Sequence, residues 1–303
     1  MNSHSIELGV FTRASSTGKI SPQELTESRL QLHYAVQYIA ATGAALAEPL
    51  QDDSHTSFGW NSVLAAFVGS TIPAAQPFQM ALEPVSLTLI VVDDQKDTIA
   101  SLPLHGKTMR EGLNWLQQEV SKLGADASKI VFLDYPPNEF PDHPLARGAS
   151  FDSSQTSALR ELVDYYIVTD RLLQTIVTSN EKASAIHIWP HHLDIAMLIT
   201  LSSIKSGHPL TIGVGLSPGD TTYPEPYWYV SPYPYPDIAN LPALDSQAFW
   251  HTQHWVGAVL RSPRLVENAK AETQQQQVAT FLHSALEASI VLLKAEYGMR
   301  QSI

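Results

Sequence analysis

The sequence predicts an α+β protein of two internally duplicated halves. Each half runs helix, strand, strand, strand, helix. The sheet is expected to be mostly antiparallel with helices packed on one face, and an extra helix closes the chain. Three observations predict this. "IASLPLHGKTMREGLNWLQQEV", from Ile99, is echoed by "IANLPALDSQAFWHTQHWVGAV", from Ile238, with Trp115 and Trp255 in corresponding helical patterns. Upstream, "FQMALEPVSLTLIVV" resembles "LTIGVGLSP" followed by "EPYWYVSPY", as if "GDTTYPE" had been inserted between the strands. Before these, "SRLQLHYAVQYIAATGAALAE" and "ALRELVDYYIVTDRLLQTIV" each read as a helix.

The first half is assigned to residues 25–133. After its opening helix, "DDSHTSFGWNSVLAAFV" lies opposite "IWPHHLDIAMLITL" of the second half. "VSLTLIVV" is rich in β-branched residues and suits a well-buried strand. Thr108 and Glu111 form a capping-box pattern, and Gly124 stands where a helix-ending glycine belongs. Residues 134–157 hold prolines, Ser, Gly and Asp, and read as a long connection. The second half is assigned to 158–265. Its "PYWYV" alternates faces, Tyr227 and Tyr229 on one side, Trp228 and Val230 on the other. Asp245 is a candidate N-cap for a helix on which His251 and His254 share a face. The last helix, 271–298, carries Val278, Phe281, Leu282, Ala285, Leu286, Ile290 and Leu293 near helical spacing. Residues 1–303 are read as a single folded unit.

Composition excludes several classes. The net charge of -12, without any Lys/Arg stripe, argues against a nucleic-acid partner. Charged residues make up only 16% of the chain, which suggests much buried surface or a self-associating face, so a homo-oligomer stays open. With no cysteine there is no disulfide, thiolate chemistry or Cys-ligated metal. "MNSHSIELGV" lacks the charged and apolar regions of a secretory signal, and no apolar run approaches the ~18 residues of a membrane span. A cytoplasmic protein without a membrane partner is the expectation. There is no P-loop and no nucleophile elbow, and "GVGLSPGD" does not fit a dinucleotide fingerprint.

Chemistry-bearing residues gather in the second half, in "WPHHLD", "GLSPGD" and "YPEPYWYVSPYPYP". The strand order predicts that these segments meet at neighbouring strand ends. Along a strand His192 and Asp194 share a face while His191 takes the other, unless Pro190 bends the chain. One reading makes His192 a general base oriented by Asp194, with Asp220 or Glu225 as acid partner. Another gives a divalent metal to His191 or His192, Asp194, Asp220 and Glu225. Trp189, Tyr227 and Tyr229 offer rings to a ligand. His55, aligned with His191, is expected to enter the same cleft from the first half. Blander readings stand beside these: Asp220 as a turn residue, Glu225 as displayed or paired, and the rings as core.

"LHYAVQYIAATG", "DDSHTSFGW", "HIWPHHLDIA", "GLSPGD" and "EPYWYVSPYP", in this order, resemble an uncharacterised bacterial domain-of-unknown-function family from about His33 to Trp255. Leu193 stands where that family is associated with phenylalanine. The resemblance implies one folded unit spanning both halves and no particular activity. Two functions follow from the residues: a small-molecule enzyme with a His/Asp/Glu cleft, metal-assisted or metal-free, or a non-catalytic binding protein in which the polar cluster is structural.

Overall fold

Beta-branched and aromatic runs, divided by short turns, form eleven strands in one sheet, and every strand pairing is antiparallel. The computed structural model describes residues 17, 19–136, 139–203, 209–265 and 270–297. Residues 1–10, read for a secretory signal, and residue 298 of the expected last helix lie outside them. The chain opens with helices α1 (Pro22–Ala35) and α2 (Gln37–Leu46). A capping box of Ser21 and Glu24 starts α1. Strands β1 (Phe58–Asn61), β2 (Ala66–Ile72), β3 (Phe78–Glu83), β4 (Thr88–Val92) and β5 (Thr98–Pro103) follow as a meander, then helix α3 (Met109–Lys122). Thr108 and Glu111 cap α3 reciprocally, and Gly124, at φ 83, ends it.

Helix α4 (Thr156–Ser179) leads into β6 (His187–Ile188), β7 (Ile195–Ser203), β8 (Pro209–Ser217) and β9 (Tyr227–Tyr233), then β10 (Phe249–His251) and β11 (Gly257–Arg261). Helix α5 (Ala271–Tyr297) is last. The sheet order is β10-β11-β9-β8-β7-β6-β1-β2-β3-β4-β5, so the two halves join where β6 pairs with β1, and β11 inserts between β9 and β10. Ser57 and His187 bond across this join at 2.7 Å.

The core lies between one sheet face and the helices. Ile39 of α2 lies over Gly69, where an added Cβ would meet it at 2.5 Å. Phe67 packs edge-on against Tyr166 of α4, and Trp228 donates its indole N–H to Thr169 of the same helix at 2.8 Å. Val278 of α5, Val168 of α4 and Trp228 border one small gap in this core. Along β8, Ile212, Val214 and Leu216 enter this core while Thr211, Gly213, Gly215 and Ser217 take the other face. Helix α5 meets the length and composition of a membrane span, with mean hydropathy 1.4. Its Val278, Phe281, Leu282, Ala285 and Leu293 are buried in this core, which fits a core helix equally well.

The halves differ from expectation in detail. They contain five and six strands where three each were expected. The helix expected around Trp255 is instead the β10–β11 hairpin, so Asp245 caps no helix and His251 and His254 share no helix face. His254 adopts φ 68 in the hairpin turn, and Gly257 lets the Trp255 ring lie where any Cβ would meet it at 2.4 Å. The motif echo also splits, since Ile99–Pro103 belongs to β5 while Ile238–Asn240 is a short 3-10 turn.

Candidate functional site

Antiparallel pairing brings the three polar segments together. Ile195, which opens β7, lies opposite Leu216, and Ser217, which ends β8, lies opposite Tyr227, which opens β9. Asp194, Asp220 and Tyr227 therefore share one end of three adjacent strands. On the face turned away from the helices they border a cavity of about 340 Å³. His192, Asp194, Ser217, Asp220, Tyr227, Tyr229, Ser231, Tyr235 and Trp255 line it.

Small residues make the hollow. Gly213 pairs with Ser231 and Gly215 with Tyr229 across β8 and β9, so this face carries little bulk. The Tyr229 ring leans over Gly215 and its hydroxyl donates to Asp194 Oδ2 at 2.5 Å, reaching from β9 past β8 to the start of β7. A Cβ on Gly215 would lie 2.4 Å from the Ile195 carbonyl and 2.9 Å from the Tyr229 hydroxyl. Tyr227 repeats the arrangement one step along, donating to Asp220 Oδ2 at 2.7 Å. Asp220 Oδ1 accepts from the amides of Thr222 and Tyr223 at 2.6 and 2.8 Å, so this side chain also ties the turn after β8.

Burial pushes the Asp194 carboxyl above its ordinary range, against the opposing pull of the Tyr229 hydrogen bond and the two neighbouring imidazoles. Burial, and then the nearby Asp194 charge, pushes the Tyr229 phenol up as well. Tyr227 is raised by burial and by Asp220. Both phenols thus keep their protons and act as donors to the carboxylates.

The hairpin loop between β6 and β7 is fastened from behind. Leu193 is held at φ 57 and its carbonyl accepts from the Tyr166 hydroxyl at 2.6 Å. The Pro190 carbonyl accepts from His33 Nε2 at 3.0 Å and Gln37 Nε2 at 2.9 Å. A carbonyl only accepts, so Nε2 carries the proton of neutral His33. Burial lowers the His33 pKa to about 3. Arg29 and His33 of α1 and Gln37 at the start of α2 recur every four residues and hold the loops behind the cavity. Arg29 donates to the Gly219 carbonyl of the turn after β8 and is drawn by the Asp220 charge.

No family model, curated protein or solved structure matches this chain.

Of the residues expected at the site, His192, Asp194, Asp220, Tyr227 and Tyr229 do border one cavity. Pro190 does bend the chain, so the strand alternation stops short of His191 and His192, which lie in the loop with ring centroids 4.3 Å apart. His191 is half-buried and does not line the cavity, whereas His192 is exposed and does. Glu225 is buried, 3% exposed, and pairs with Arg261 of β11, outside the lining. His55 is buried beneath α2, where its Nδ1 accepts from the Leu50 amide at 3.2 Å. Trp189 packs on His187. Neither His55 nor Trp189 enters the cavity lining. Among the described residues, no group of three or more His, Asp or Glu side chains could hold a metal, so His191, His192 and Asp220 do not form a ligand set.

Ser217, Ser231, Tyr235 and Trp255 are the lining residues that sequence reasoning missed. Trp255 stacks on His251 at 4.5 Å. His251 in turn donates from Nε2 to the Gln253 carbonyl at 2.6 Å and accepts from the Tyr223 hydroxyl at 2.8 Å. The visible signal was Gly213, Gly215 and Ser217 at alternate positions of one strand, which empties one sheet face.

Proposed function

We propose that this chain is an enzyme acting on a small molecule by proton transfer, as in hydrolysis or addition, in the cavity of the second half. One observation carries the reading. Asp194, a carboxyl raised by burial, opens beside His192 on a ring-walled hollow. A carboxyl raised by burial holds its proton to higher pH than an ordinary carboxyl, which suits a general acid. His192, exposed at the same cavity, is then the general base. Tyr229 fixes the Asp194 carboxyl, and His33, Gln37 and Tyr166 fix the loop that carries both groups. No step requires a metal. The matching order of helix, antiparallel strands and helix on either side of the β1–β6 join supports reading the halves as a duplication, only one of which keeps a polar site.

A second reading, binding without turnover, is favoured by the state of the other carboxylates. Asp220 is spent on its turn and on Tyr227, and Glu225 is paired with Arg261. One experiment separates the two. The protein is incubated with a mixture of cellular metabolites, and the mixture is followed by mass spectrometry. The enzyme reading expects one compound to be consumed by the wild type and spared by Asp194→Asn and His192→Gln variants that are no less stable than the wild type. A compound retained by the protein but never converted establishes the binding reading.

A further inference from the structure

We infer that the cavity takes an alkylated ammonium group, so that the ligand is a small organic cation. The inference rests on reading this cavity as the functional site and names the class of molecule it admits. Four rings, Tyr227, Tyr229, Tyr235 and Trp255, line the hollow together with the Asp194 carboxyl and the Asp220 carboxylate. No Lys or Arg is among the lining residues. Aromatic rings beside the Asp220 carboxylate attract a cation twice over, through the ring quadrupole and through charge. An anionic ligand would meet that carboxylate and no Lys or Arg in the lining.

The hydrogen bonds narrow the cation further. Both oxygens of Asp220 already accept bonds, from two amides and from the Tyr227 hydroxyl, and Asp194 Oδ2 is taken by Tyr229. Asp220 thus offers charge with both of its oxygens already bonded, and Asp194 a carboxyl with one oxygen already bonded. A primary amine must satisfy three N–H donors on entering such a cavity, and leaving them unpaired is costly. An alkylated ammonium has charge, a weakly hydrated apolar shell and few or no donors. The neighbouring ring shows the same preference. Tyr223 already holds a cation of the protein, the Arg261 guanidinium, at 5.2 Å from its centroid. Among the described residues, no protein cation is seated in this way on the four cavity rings. The mouth of the cavity is open to such a guest, since Tyr235 is 46% exposed.

Isothermal titration calorimetry with choline, its uncharged isostere 3,3-dimethylbutan-1-ol, and glucose tests this on the full chain at fixed ionic strength. Choline is expected to saturate a single site, and the isostere to bind at least about tenfold more weakly. Tyr235→Ala at the cavity mouth is expected to weaken choline by about tenfold or more at unchanged Tm, and Trp255→Ala to weaken it by as much in protein that stays folded at a lower Tm. Equal binding of choline and the isostere overturns the inference, as does glucose binding without choline binding, or no choline binding at all. These readouts are of binding alone. Choline binding without turnover of any metabolite defeats the enzyme reading and keeps this one. Turnover without choline binding does the reverse.

Discussion

Acid should release the β6–β7 loop through His33. This imidazole is buried, 5% exposed, and its pKa of about 3 lies below the ordinary 6.5 because burial disfavours the charged form. Below pH 6.5 the unfolded chain binds a proton at this position that the native protein refuses. Native stability is therefore full above pH 6.5 and is lost as pH falls toward 3. One such group costs about 1.4 kcal/mol per pH unit across that window, or roughly 3 kcal/mol by pH 4.5. His33→Gln keeps a donor for the Pro190 carbonyl but cannot titrate. Urea unfolding of both proteins at pH 7.0, 5.5 and 4.5 (chosen to bracket the window of about 6.5 to 3) isolates the term, because all other carboxylates and imidazoles are common to both. The variant is expected to begin less stable at pH 7 and to lose about 3 kcal/mol less than the wild type on going to pH 4.5. Parallel losses in the two proteins would refute the reasoning, since His33 would then titrate alike in the folded and unfolded states.

Three further perturbations follow from the same geometry. Asp194→Asn should abolish function yet raise stability, on the order of 1 kcal/mol, because the amide still accepts from Tyr229 without a buried charge. A raised native carboxyl loses its stabilising contribution as pH climbs from the ordinary carboxylate range through its native pKa, so the advantage of Asn in Tm should be larger at pH 8 than at pH 4. Gly215→Ala should cost about 1–3 kcal/mol and displace the Tyr229 hydroxyl from Asp194, measured by denaturant unfolding and by loss of ligand affinity. Glu225→Gln should cost about 3 kcal/mol by breaking the pair with Arg261, while turnover per folded molecule stays unchanged.

The fold class and the convergence of the site were legible in the sequence for identifiable reasons. Alternation in "PYWYV" separates Trp228 from Tyr227 and Tyr229, and strands joined by turns bring Asp194, Asp220 and Tyr227 to one end. Capping chemistry fixed the start of α3 at Thr108. What escaped depended on tertiary contacts. The segment around Trp255 has helical spacing on paper, yet pairing with β9 and the close fit of Gly257 under the indole turn it into a hairpin. Glu225 between two prolines could be displayed or paired, and only the distant Arg261 decides for pairing. His33 carried a readable sign, the four-residue stripe of Arg29, His33 and Gln37, but its partner Pro190 lies far along the chain.

Carboxyl-carbon NMR of protein labelled at its aspartates tests the central claim most directly, by following each resonance with pH. The account predicts that one resonance, absent from Asp194→Asn, titrates above the ordinary carboxylate range and moves when a ligand enters the cavity. An Asp194 resonance that titrates in the ordinary range and ignores every ligand would contradict it.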